Sequence, residues 1–171
     1  MRFLAGFIVG IVLIPLVIYF YFRFGYAPVA TAASPIPFER KLAHLGLDAK
    51  IDKEAPKTAP FQADAGDLEN GAHLFRTHCA PCHGVMDAEK TPIAKGMYPS
   101  PPQLLHGKGV TDDPAGETYW KIANGIRLTG MPAYGHSLSD REMWQISFLL
   151  AGADKLPANV QSILKEPLAT N

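Results

Sequence analysis

Cysteine is scarce in this sequence. Only Cys79 and Cys82 occur in 171 residues, too few and too close together to build the disulfide framework of a small secreted domain. Net charge is lacking too. Sixteen basic residues balance 16 acidic ones, so the chain has none of the basic excess that a nucleic-acid partner requires. No second Cys or His pair completes a zinc site around the two cysteines. No strand pattern flanks them either, as the βαβ setting of a thioredoxin-like dithiol would demand. Charge is absent from one long stretch, Phe3 to Phe22, which holds much of the 47% apolar content.

That stretch, FLAGFIVGIVLIPLVIYFYF, lies between Arg2 and Arg23 and has the length of about 20 residues that a helix needs to cross the hydrocarbon core. Pro15 would be costly in a soluble helix, but membrane helices tolerate proline when neighbouring groups satisfy the freed carbonyl. Tyr19, Tyr21 and Tyr26 gather with Phe20, Phe22 and Phe24 at the far end, as rings do at the headgroup layer. Ala30-Thr31-Ala32 offers a signal-cleavage alternative. The apolar region of a signal is usually only about 7 to 15 residues, so a retained transmembrane anchor over 1–24 is the expectation. Arg2 and Arg23 offset each other, and charge gives no orientation.

Prolines at 28, 35, 37, 56 and 60 mark 25–63 as a tether. Within it Phe38, Leu42 and Leu45 recur at helical spacing between Pro37 and Gly46, and this short helix is expected to pack on its own domain. A helical domain over 64–153 follows. Its first helix carries Leu68, Ala72, Phe75 and Cys79 on one face, with Asp67 as its cap and Gly71 leaving room for a crossing helix. The crossing partner opens at the capping box Ser139-Asp140-Arg141-Glu142, shows Trp144, Phe148 and Ala151 on one stripe beside Met143, Ile146 and Leu150, and ends near Gly152. A third helix, about Pro114 to Ala123, is opened by Asp112-Asp113, closed by Asn124-Gly125, and carries Trp120 on its inner face. In the tail, 154–171, Val160, Ile163 and Leu164 repeat at helical spacing, packed on the domain or docked to a partner. The fold class is therefore all-α, a small helical domain preceded by one N-terminal transmembrane helix.

Cys79-Ala80-Pro81-Cys82-His83 is a C-x-x-C-H run. At this spacing one turn presents two thiols to the vinyl groups of a haem, and the next residue aims its imidazole at the iron. His83 is then the proximal ligand. For the opposite face Met131, in Gly130-Met131-Pro132, is the best placed candidate, with Met97 its competitor. Met86 is too near His83, and Met143 serves the last helix's packing. His73, His78, His106 and His136 have no supporting context. A His/Met pair favours ferrous iron and closes it to exogenous molecules, which suits electron carriage.

In order, the features are a helix, the C-x-x-C-H-Gly84 motif, a proline-rich loop at Pro99-Ser100-Pro101-Pro102, the segment Trp120-Lys121-Ile122-Ala123-Asn124-Gly125-Ile126-Arg127, Gly130-Met131-Pro132 and a final amphipathic helix. This order resembles the class I cytochrome c family over about residues 64 to 152. The resemblance implies a cytochrome c-like domain around one covalently bound haem c. Cys79 and Cys82 would form thioethers, His83 and Met131 would ligate iron, and Trp120 and Arg127 would contact the haem propionates. It also implies that the haem domain lies on the periplasmic side of the cytoplasmic membrane. The expected activity is single-electron transfer between respiratory redox proteins, with no catalytic residue and no small-molecule substrate. The alternative is a haem-bearing subunit of a membrane dehydrogenase or oxidase. The expected partners are redox proteins and, through the anchor, membrane lipid.

Overall fold

Eight helices and no strand make up the regular structure among the described residues, 2–105 and 113–168 without the side chains of Arg2, Ala5 and Ile8, of a computed structural model. The all-α expectation holds. His106 and Asp112 lie outside the described residues. The chain divides into two compact units, Met1–Arg40 and Lys41–Asn171.

The first unit contains α1, Arg2–Arg23. Ile11, Val12, Leu13 and Ile14 point in successive directions round this helix, yet each is more than half exposed, so α1 presents apolar surface on every side. Among the described residues no helix is long and apolar enough to cross a membrane.

Helix α2, Glu39–Glu54, is longer than the sequence pattern suggests. Gly46 costs a helix about 1 kcal/mol but does not stop it, because burial of Ile51 and the Lys50–Glu54 ion pair carry the helix on. Phe38, Leu42 and Leu45 do not find local cover: all three are more than half exposed, and Ile51 is what this helix buries.

The core of the second unit is the crossing of α3, Ala65–His78, with α7, Asp140–Ala151. Gly71 sits at the crossing, where an added Cβ would lie 2.5 Å from the Gln145 carbonyl oxygen. Phe75, Ile146 and Leu149 fill the space beside it with no exposed surface. The cap of α3 differs from expectation: Asp64 leads the helix and Asp67 is the third residue of a capping box. The Asp67 amide donates to Asp64 Oδ1 (2.8 Å), and the Asp64 amide donates to Asp67 Oδ2 (3.2 Å). The other oxygen of the buried Asp67 carboxylate accepts from Gln145 (2.8 Å) and Arg141 (2.7 Å), fastening the start of α3 to α7. The Gln145 amide, the Asp64 backbone and the Arg141 guanidinium hold this carboxyl below its usual pKa despite burial. Helix α7 opens with the expected Ser139 and Glu142 box.

Between them lie α4, Ala80–His83, α5, Pro92–Gly96, and α6, Ala115–Asn124. Helix α6 packs on α7 through Tyr119, whose ring stacks on Trp144 at 4.6 Å between centroids. The tail helix α8, Ala158–Lys165, packs on α3 with Val160 and Leu164 buried, and the Leu164 carbonyl accepts from the Met86 amide (2.9 Å). The tail therefore belongs to the domain's own core.

Candidate functional site

Helix α3 delivers the C-x-x-C-H run. The Phe75 carbonyl caps onto the Cys79 amide (2.8 Å), and the chain turns at once into α4, where the Cys79 carbonyl accepts from Cys82 (3.1 Å) and His83 (2.8 Å). One tight turn thus holds both sulfurs and the ring in fixed relation. Pro81 opens the turn, and Gly84 leaves it with φ 81°, a left-handed angle that glycine adopts at no steric cost.

Cys79 and Cys82 form no disulfide with each other. Burial, with Cys82 adding to it, pushes the Cys79 thiol up to about 12, so it stays neutral. The attacking thiol of a redox dithiol needs a lowered pKa, and burial moves Cys79 the other way. The His83 ring is fixed from the other side: Nδ1 lies 2.7 Å from the Pro102 carbonyl oxygen, which can only accept, so Nδ1 carries the proton and Nε2 the free lone pair. No hydrogen bond from the described residues falls on Nε2. Burial holds the ring's pKa below its ordinary value, outweighing the Pro102 carbonyl, and the imidazole is neutral as a metal ligand must be.

Met131 is half-buried in the loop after α6. Gly125 ends α6 at φ 65° and lets the loop fold back, because a Cβ there would lie 2.7 Å from the Ala133 amide nitrogen. Within the loop the Ile126 amide donates to the Met131 carbonyl (3.2 Å) and the Met131 amide to Thr129 Oγ1 (3.1 Å). Three residues on, the Tyr134 hydroxyl donates to the His78 carbonyl (2.7 Å), tying the Met131 segment to the end of α3. Tyr134 also feels both cysteines: after burial, Cys79 and Cys82 are what raise its pKa. The structure thus brings Cys79, Cys82, His83 and the Met131 loop together.

Trp120 and Arg127 are placed differently. The Trp120 indole N–H donates to Glu54 of α2 (3.3 Å), and Arg127 is exposed with no hydrogen bond or ion pair to the described residues. Met143 is buried in α7, and His73 and His136 are exposed. Sequence reasoning missed two contributors, the Pro102 carbonyl and Tyr134. Pro101-Pro102 signals a rigid loop but not which carbonyl it presents, and Tyr134 acts through a contact 56 residues away in the chain.

The residue set fits a haem c. It offers two thiols on one turn that would form thioethers, an imidazole with a free Nε2, and a soft thioether, Met131, on a separate loop. Comparison with known proteins agrees. Residues 66–147 match the family described as cytochrome c oxidase, cbb3-type, subunit III. Cytochrome c6 of Diacronema lutheri is 32% identical over 89 residues, which is 52% of this chain and 99% of that protein. The matched span runs over the C-x-x-C-H turn, the Met131 loop and the α3–α7 crossing, and on that ground the chain belongs to the class I c-type cytochromes, haem-bearing electron carriers with a covalently bound haem c.

Proposed function

We propose that this chain carries single electrons between redox proteins at a membrane. One haem c would be held through Cys79 and Cys82, with His83 and Met131 as the residues that would ligate its iron. The observation that carries the reading is the His83 ring, oriented by Pro102 with Nε2 unused, on the same turn as Cys79 and Cys82. When bound, the haem supplies an iron that gains and loses one electron. The chain's own residues do the rest: the α3–α4 turn fixes position, Pro102 fixes the imidazole tautomer, and Met131 offers a neutral sulfur that favours the ferrous state. Absorption spectra of the purified protein test this, with a pyridine haemochrome and a scan for the near-infrared methionine-to-ferric band. Met131→Ala is expected to abolish that band, open the iron to carbon monoxide and lower the potential by more than about 100 mV, within the roughly 0.8 V that axial ligation spans. An unchanged band and potential would exclude Met131 as ligand.

The same reading places the haem unit on a membrane anchor, facing the periplasm. Its support is the uncharged run Phe3 to Phe22, its Arg2 and Arg23 borders, and a 22-residue α1 that at 1.5 Å per residue spans about 33 Å. The haem is expected to stay with the membrane pellet through an alkaline wash, and to move to the soluble periplasmic fraction when a cleavable export signal replaces 2–24. Recovery of the unaltered chain in the soluble fraction would remove the anchor from the proposal.

A second reading is favoured by the matched family's description, which names an oxidase subunit. The haem unit would then feed electrons to a membrane oxidase made of other chains. Co-purification of haem-bearing partner subunits after mild detergent extraction decides for it.

A further inference from the structure

Met97 lies between the two halves of the site. It follows α5, and α5 is fastened to the attachment turn: Thr91 caps the helix by accepting from the Ala94 amide (3.1 Å), while its hydroxyl donates to the carbonyl of Pro81 (2.7 Å), between the two cysteines. The Met97 amide closes the helix on the Ala94 carbonyl (3.4 Å), and Ser100 Oγ donates to the same carbonyl (3.3 Å). From this fixed base the side chain reaches across to Gly130, the residue before Met131. A Cβ built on Gly130 would overlap the Met97 methyl and lie 3.5 Å from its sulfur.

Past Met131 the loop is held by the Tyr134 bonds to Ile122 and His78, while its 126–130 arm has fewer restraints. Its backbone bonds run mostly within 125–131, Leu128 is 93% exposed in a left-handed conformation, and Arg127 projects outward. An arm with so few bonds to the rest of the domain opens more readily than the packed core. Met97 supplies a side-chain contact at Gly130, directly beside Met131. An unbranched, adaptable side chain suits the notch that a missing Cβ leaves.

We propose that Met97 is a positioning residue: seated on Gly130 and anchored through α5 to the cysteine turn, it braces the Met131 loop so that the Met131 sulfur stays on the iron. The inference rests on Met131 being the second axial ligand. It assigns Met97 a steric task, and a side chain of similar volume performs it.

The test compares Met97→Leu, Met97→Ala, Gly130→Ala and Met131→Ala in the full haem-loaded chain. The readouts are the near-infrared methionine-to-ferric band and the affinity of ferric iron for cyanide, which must displace the axial sulfur. Met97→Ala is expected to weaken the band and raise cyanide affinity about tenfold, the effect of a coupling within the usual range for a packed contact. Met97→Leu restores both to within about twofold, since volume and not sulfur is needed. Gly130→Ala displaces the Met97 methyl, so its effect disappears in a Met97→Ala background. Met131→Ala abolishes the band in every background. If Met97→Ala matches the unaltered protein while Met131→Ala loses the band, the brace is wrong and the ligand reading stands. If Met97→Leu and Met97→Ala both abolish the band while Met131→Ala keeps it, Met97 is itself the ligand and both readings fall.

Discussion

Cys82→Ala is expected to cut the yield of haem-bearing protein by about an order of magnitude, because binding free energy that folds the chain is lost with the attachment. The argument starts from the turn. Cys82 and His83 both hang from the Cys79 carbonyl, so the second sulfur and the ring share one rigid support. Removing the sulfur leaves that support and the Pro102 contact in place, so His83 keeps its tautomer and aim. What is lost is one of two covalent links. The small fraction that matures through Cys79 alone is expected to show a pyridine haemochrome shifted from the two-thioether position. Cys82→Ser gives the same result, since a hydroxyl does not replace the thiol chemically. A Cys82→Ala protein with normal yield and an unshifted haemochrome would end the attachment reading and return the cysteine pair to a structural role.

The parts of this fold that were legible in the sequence depend on residues near one another in the chain. The Ser139–Glu142 box, the glycine at a helix crossing and the C-x-x-C-H turn are of this kind, and each stands where its pattern indicates. Asp64 and Asp67 show the limit. A capping box uses both ends of a three-residue interval, and two aspartates at that interval do not reveal which one leads. The stripe Phe38, Leu42 and Leu45 shows another limit: helical spacing identifies a face but not whether anything covers it, and here Ile51 finds the cover instead. In α6 the phase is rotated by one residue. Tyr119 stacks on Trp144, while Trp120 turns to Glu54, 66 residues earlier in the chain. At the site, the His83 acceptor is a backbone carbonyl and carries no residue-type signal, and Tyr134 reaches α3 only because Gly125 folds the loop back.

Gly71→Ala is expected to destabilise the haem unit by about 3 kcal/mol, with a fall in Tm of roughly 10 °C followed by circular dichroism. The new methyl meets backbone: the Gln145 carbonyl oxygen at 2.5 Å, its carbon at 2.9 Å and the Ile146 amide nitrogen at 3.4 Å. None of these atoms can rotate aside, so α3 and α7 must separate. Separation loosens the packing of Phe75 against Ile146 and Leu149. It also stretches the bonds from Gln145 and Arg141 to the Asp67 carboxylate, a buried charge that is costly to leave short of partners. Against this stands a gain of up to about 1 kcal/mol in helix propensity. Gly46→Ala in α2 isolates that gain, because nothing lies within 4 Å of a Cβ there and its expected effect is a small rise in Tm. The same chemical change therefore has opposite signs at two helical glycines. If Gly71→Ala were as stable as Gly46→Ala, the α3–α7 crossing would have to be looser than 2.5 Å implies, and the packing that delivers Cys79 and His83 to the site would need another basis.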